Sequence, residues 1–193
     1  MLSHAHFDHV AHLTYLHPGI PVYLGEATKT ILDSTAETTK QKFFQEGTEI
    51  NTFRSGKEIT IGDIKITPIH VDHSVPGAYG FIVETSEGVV VYTGDFRQHG
   101  PRSDMTHEFI EKAKNSEPEA LIIEGTRVAR EEKRKNHTED LVHNGSRKVA
   151  EGDDFVLAMR YPKDLDRFQT FYKIAKETGK KLVISMKTAH LLR

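Results

Sequence analysis

The sequence predicts an α/β protein, and three observations carry that assignment. Two stretches, 58–67 and 78–92, alternate apolar and polar residues and fold back on short turns. The run Ala120-Leu121-Ile122-Ile123 is apolar throughout, the mark of a buried strand. After residue 137, helical and strand-like segments alternate, the pattern of a parallel sheet with crossover helices.

The elements follow in chain order. His9 to Leu16 is a short helix stopped by Pro18-Gly19. Pro21 to Leu24 is a short strand, and Glu26 to Gln45 a polar-faced helix that Gly47 ends. Glu58–Ile61 and Ile64–Thr67 form a hairpin around Gly62-Asp63; Ala78–Glu84 and Val89–Tyr92 form a second around Ser86-Glu87-Gly88. Thr106 to Lys114 is helical. Beyond a charged run from Arg127 to Lys135, Thr138–Glu151 is a helix and Phe155–Met159 a strand. Asp164–Thr178 is a helix whose apolar stripe includes Leu165, Phe168, Tyr172 and Ala175. Gly179 caps it, Lys181–Ser185 is a further strand, and a last helix follows Thr188. The change of pattern near residue 127 divides the chain into 1–126 and 127–193.

Composition narrows the function classes. The 193 residues are 37% hydrophobic and 28% charged, an ordinary globular balance. No apolar run approaches the roughly 20 residues of a spanning helix, and Met1-Leu2-Ser3-His4 has neither the basic start nor the apolar core of a leader. A cytoplasmic location with no membrane partner is expected. Cysteine is absent, so any transition metal is held by histidines and carboxylates. The net charge of −2 gives no global pull on nucleic acid, which would have to meet a local patch. Histidine is the outlier, with twelve residues.

His4-Ala5-His6-Phe7-Asp8-His9 packs four metal-capable side chains into six residues. His4 and His6 alternate and point one way in an extended stretch; Asp8 and His9 follow where the chain turns. Three protein ligands and an open position make a catalytic site, and a fourth so close suggests two ions sharing the site. His73 lies just past a strand, before Pro76-Gly77. His70 and Asp72 beside it are weaker candidates, and His70 alone reads as an ordinary strand histidine. The strand Val89–Tyr92 runs into Thr93-Gly94-Asp95, and a carboxylate after a core strand is costly to bury unless paired or metal-bound. Asp95 therefore reads as a ligand able to bridge two cations. Glu124, after 120–123, reads either as a partner to a ligand or as a substitute helix cap. Arg127, Arg130, Lys133, Arg134 and Lys135 could meet phosphates or form a solvated linker, since Glu131 and Glu132 interrupt them. Arg160-Tyr161 could offer a cation and a stacking ring to RNA or be a packed surface pair.

The spacing His4-x-His6-x-Asp8-His9, His73, Asp95 resembles the metallo-β-lactamase superfamily. The wording Leu2-Ser3-His4-Ala5-His6-Phe7-Asp8-His9, Asp72-His73-Ser74-Val75-Pro76-Gly77-Ala78, Tyr92-Thr93-Gly94-Asp95-Phe96-Arg97 and Ile123-Glu124-Gly125-Thr126 resembles its β-CASP group, most closely the ribonuclease J type. The resemblance implies an αββα sandwich, here incomplete, followed by the start of a β-CASP α/β domain with parallel strands. It implies a first metal on His4, His6 and His73, a second on Asp8 and His9, and Asp95 bridging them. Two zinc ions are expected in a complete protein, with manganese also suited to these ligands. Glu124 would orient a ligand histidine. The implied reaction is hydrolysis of RNA phosphodiesters by a hydroxide that two metals activate and Asp8 positions, with Asp8, Asp95 and Glu124 as the catalytic carboxylates.

The sequence also departs from the family. Only Met1-Leu2-Ser3 precede the first motif, and the later histidine motifs are absent; His137, His143 and His190 stand in the wrong context to replace them. A fragment of a longer protein, or a truncated gene, is expected. The 193-residue chain by itself is then expected to hold about one tight metal, to show little nuclease activity and to self-associate. Two rival readings stand beside the nuclease. One is an ester or lactone hydrolase of the same superfamily; the other is a catalytically defective remnant that binds metal or RNA.

Overall fold

The computed structural model describes residues 1–128, 131, 133 and 135–193. The chain enters through an extended stretch, 1–6, then a single helical turn, α1 (Phe7–Val10), that relaxes into a 3₁₀ turn over Ala11–Tyr15. β1 (Val22–Gly25) leads directly into α2 (Glu26–Thr39), and β2 (Ile50–Phe53) returns parallel to β1. Five strands then form the main sheet: β3 (Ile59–Ile61), β4 (Ile64–His70), β5 (Tyr79–Thr85), β6 (Gly88–Tyr92) and β7 (Ala120–Ile122). They lie in that order; the first four pair antiparallel, and β7 joins β6 in parallel after the crossover helix α3 (Ser103–Asn115). α4 (Glu139–Gly152), α5 (Leu165–Glu177) and α6 (Met186–Leu191) complete the chain.

The period of two along β4, β5 and β6 separates two cores. Ile66, Tyr79 and Phe81 face the two-stranded sheet, where Phe53 of β2 meets Tyr79 with ring centroids 4.9 Å apart. Ile69, Ile82 and Val91 face the other way, onto Phe109 of α3. A third core gathers Leu2, Ala5 and Val10 from the entry segment with Leu24 of β1 and Ile31 and Leu32 of α2. The layers therefore run α2, two-stranded sheet, five-stranded sheet, α3. At the other end, Arg167 of α5 clasps Glu139 of α4 through three hydrogen bonds of 2.9–3.1 Å.

Several expectations are corrected. The entry helix begins at Phe7 rather than His9. α2 ends at Thr39 rather than Gln45, because Lys40 takes a left-handed conformation (φ 60°) and turns the chain so that Phe43 enters the core. β2 was not anticipated: its four residues lack the alternation that marks a strand and are held by parallel pairing to β1. β7 is a strand but not a buried one. Leu121, Ile122 and Ile123 are all more than half exposed, because β7 pairs along β6 and neither of its faces is covered among the described residues. The segments 155–159 and 181–185 form no ladder, and Phe155, Leu157, Met159 and Val183 are exposed. An alternating or apolar run becomes a strand only when a neighbour takes its N–H and C=O groups, and no such neighbour stands among the described residues. Parallel pairing occurs instead at β1–β2 and β6–β7.

Candidate metal centre

Three pieces of chain deliver the site. The entry segment is pinned by Leu2 N–H to the Tyr23 carbonyl (2.9 Å) and by Tyr79 N–H to the Ser3 carbonyl (3.0 Å). That fixes an extended stretch from which His4 and His6 project together, and α1 then swings Asp8 and His9 toward the same volume. β4 continues past its end through the Val71 N–H to Ala78 carbonyl bond (3.0 Å), which presents His73. β6 ends in Thr93-Gly94-Asp95. Gly94 has φ +56°, and a Cβ there would stand 2.5 Å from the Tyr79 carbonyl oxygen, so the turn that aims Asp95 requires glycine.

The ligand atoms converge in two groups. One atom each of His4, His6, His73 and Asp95 lies within 4.8 Å of the others, and the same holds for Asp8, His9 and Asp95. His6 Nδ1 is 3.1 Å from His4 Nε2 and 3.0 Å from His73 Nε2. Asp95 Oδ2 is 3.7 Å from His4 Nε2 and 3.9 Å from His73 Nε2. Asp95 Oδ1 turns the other way, 3.5 Å from His9 Nε2, which is itself 3.5 Å from Asp8 Oδ2. One carboxylate thus gives one oxygen to each group.

These residues fit a divalent cation. In a tetrahedral site with bonds of roughly 2.0–2.1 Å the ligand atoms stand about 3.3–3.4 Å apart, and the separations here, 3.0–3.9 Å, bracket that value. Hydrogen bonding alone does not account for the cluster. An imidazole nitrogen carries one proton or one lone pair, yet His6 Nδ1 faces two ring nitrogens. His6 Nε2 is buried with no hydrogen-bond partner among the described residues. The rings are also held neutral, as metal ligands must be. Burial lowers the His4 pKa to about 2, His73 to about 3 and His6 to about 4; for His4 and His73 the neighbouring histidines add to the effect. Burial raises the Asp95 carboxyl above its ordinary range despite the nearby His9, a bias that a bound cation would oppose. The Ser3 hydroxyl lies 3.1 Å from His4 Nδ1 and 3.4 Å from His9 Nδ1, on the ring edges away from Asp95, where it can fix both rings.

The other expected residues divide. Glu124 makes no hydrogen bond to a ligand histidine. Its oxygens accept the Phe96 and Thr126 N–H groups (3.4 and 3.1 Å), and although burial alone would raise its pKa, these bonds bring it below the ordinary range. It braces the turn after Asp95. His70 joins neither group and stacks on Tyr79 at 4.3 Å. Asp72, 2% exposed, pairs with Arg97. Arg127 is exposed and bonded to Asn136, Lys133 and Lys135 are exposed, and Arg130 and Arg134 lie outside the described residues. The Arg160 guanidinium acts as an internal clamp: it donates to the Tyr161, Pro162 and Asp164 carbonyls and to Thr188, and rests on the Phe168 ring at 5.0 Å. His143 and His190 pair with Glu177 and Glu37, outside both groups. Sequence reasoning missed Arg97, Thr106 and Lys163 and did not foresee the contact of Tyr161 with His6; these partners lie 9 to 158 residues away and leave no local signal. No helix among the described residues is long and apolar enough to cross a membrane.

Comparison with known proteins is consistent with this geometry. A model of the beta-lactamase superfamily domain matches residues 1–152. A ribonuclease J of Sinorhizobium meliloti is 33% identical over 101 residues, half of this chain and 17% of that protein. A ribonuclease J of Pyrococcus abyssi is 24% identical over 193 residues, 94% of this chain and 42% of that protein. A crystal structure of a protein of unknown function from Enterococcus faecalis V583 superposes with a TM-score of 0.80 at 28% identity, covering 99% of this chain and 47% of that one. The chain therefore spans less than half the length of each of these relatives.

Proposed function

The chain belongs to the metallo-β-lactamase superfamily, and from that premise we propose that it is the metal-holding part of a hydrolase that cleaves RNA phosphodiester bonds. The observation that carries the reading is Asp95, whose two oxygens face two separate donor groups. The relatives named ribonuclease J supply the substrate class. His4, His6, His73 and Asp95 would hold one ion, and Asp8, His9 and Asp95 a second; zinc suits the set, as does manganese. Divalent cations in such a site supply Lewis acidity to a phosphodiester and lower the pKa of water beside them.

The chain's own residues do the rest. The three neutral imidazoles offer lone pairs without first losing a proton. Asp95 spans the two groups from a turn that Gly94 and Glu124 keep rigid. Asp8, 78% exposed at the mouth of the site, can accept a hydrogen bond from an entering water and so orient it. The reading takes 1–126 as the metal-bearing domain and 127–193 as the start of a second, with the exposed Lys133 and Lys135 at the boundary available to phosphates.

The test uses a protein that carries this chain, a labelled RNA and a panel of esters and lactones. RNA cleavage should require added zinc or manganese, stop with chelator, and fall below about a tenth of wild type in both Asp95→Ala and Asp95→Asn. Cleavage that survives those substitutions overturns the two-group reading. Ester or lactone hydrolysis without RNA cleavage assigns the site to small molecules, and metal uptake without either activity makes it a binding remnant.

A further inference from the structure

We propose that Lys163 is a positioning residue for the metal-binding loop, tying the His4-Ala5-His6 segment to the C-terminal part of the chain. The proposal rests on the metal-centre reading above. Ala5 is fully buried, and the segment 1–6 lies in no helix or strand, so its carbonyls have no regular ladder to satisfy them. The Ala5 carbonyl accepts instead from Lys163 Nζ at 2.6 Å, across 158 residues of sequence. That peptide unit stands between the two alternating histidines. Its orientation decides whether His4 and His6 point to one place, and a charge-assisted bond holds it more firmly than a neutral one.

The loop that carries Lys163 is itself held. Arg160 gathers the carbonyls of residues 161, 162 and 164, and the Asp164 side chain caps α5 through Arg167 N–H at 3.0 Å. Asp166 pairs with Arg97, two residues beyond Asp95. The Tyr161 ring meets the His6 ring edge to face, with centroids 5.1 Å apart at 90°. Segment 160–166 therefore touches the site through three side chains, Tyr161, Lys163 and Asp166, and Lys163 is the one that grips its backbone. The lysine borders a cleft of about 510 Å³ that also contains Thr35 and Thr38 of α2 and Lys187.

Electrostatics and positioning make opposite forecasts, which renders the proposal testable. A cation near a metal site repels the ion, so by charge alone Lys163→Met would tighten binding. If Lys163 positions the loop, the same change weakens binding. The measurements use the 193-residue chain as wild type, Lys163→Met, Lys163→Arg and Lys187→Met. Cobalt(II) serves as the probe, followed by its visible absorption and by chelator competition. Hydrogen exchange of residues 4–9 is measured by mass spectrometry without metal.

Lys163→Met should weaken cobalt binding by about tenfold or more, alter the visible band and speed exchange in residues 4–9 several-fold. Lys163→Arg, long enough to reach the same carbonyl, should restore all three, and Lys187→Met should match wild type. Should Lys163→Met not fold, Lys163→Gln, which keeps most of the stem but falls short of Ala5, should show the same losses. Equal or tighter cobalt binding with unchanged exchange overturns the proposal, as does an equal effect from Lys187→Met. If wild type takes up no cobalt, the metal-centre reading fails, and exchange alone decides: unchanged exchange in Lys163→Met then overturns the positioning role as well.

Discussion

Replacing Arg97 with methionine should cost about 3 kcal/mol of folding stability. Asp72 is 2% exposed, and its Oδ1 accepts Arg97 Nε at 3.0 Å while its Oδ2 accepts the Arg102 N–H at 3.2 Å. Methionine fills much of the arginine's volume but leaves a buried carboxylate with one backbone donor. Removing one partner of a buried pair costs about 3–5 kcal/mol, and the surviving Arg102 bond puts this case at the lower end. The second partner, Asp166, is 30% exposed, and losing that contact adds under about 1 kcal/mol. Urea denaturation of the metal-free chain, followed by circular dichroism at neutral pH, reads the change. Asp72→Asn removes the charge that needs Arg97, so the double variant should be less destabilised than the two single changes together, with a coupling of about 1–3 kcal/mol. Arg97 stands two residues past Asp95, and its side chain ties that turn to Asp72 and Asp166, so metal affinity should fall in parallel. A loss under about 1 kcal/mol, or an additive cycle, would refute the reasoning.

Thr106 is fully buried; its hydroxyl accepts Asp72 N–H and donates to the Arg97 carbonyl, both at 2.9 Å. Thr106→Val strands both groups and should cost about 2–4 kcal/mol, while Thr106→Ser should stay near wild type in the same urea titration. Gly94→Ala sets a methyl against the β5 backbone and should abolish metal binding or soluble expression; a variant with wild-type metal affinity contradicts the role given to this turn. Acid should destabilise the metal-free protein through His4, His6 and His73. Their folded pKa values, about 2, 4 and 3, lie below the ordinary 6.5, so as pH falls below 6.5 the unfolded chain takes up protons that the folded chain refuses. Stability should therefore be full above pH 6.5 and decline toward pH 4 by about 1.4 kcal/mol per pH unit for each ring. A urea midpoint that is flat from pH 7.5 to 5 would show that these rings are not buried neutral.

Both hairpins, α2 to α5 and the donor side chains His4, His6, Asp8, His9, His73 and Asp95 that the fold brings together were legible in the sequence. Turns, caps and the alternation of β4 to β6 are local signals that a single stretch of chain displays, and ligands crowded into six residues or set just past a strand belong to the same class. What the fold alone decided depends on partners distant in sequence. Whether 155–159, 181–185 and 120–123 become buried strands turns on a neighbouring edge and a covering layer, which no run of residues encodes by itself. β2 exists because β1 is beside it. Glu124 spends its oxygens on the amides of residues 96 and 126, and Arg160 spends donors on the carbonyls of its own loop, pairings that only the folded turns bring about. Lys163 and Ala5 lie at opposite ends of the chain, and composition marks neither. The chemistry of the site is short-range in sequence and could be read there. The bonds that hold it in place close long loops, so their pairing is set by packing in three dimensions.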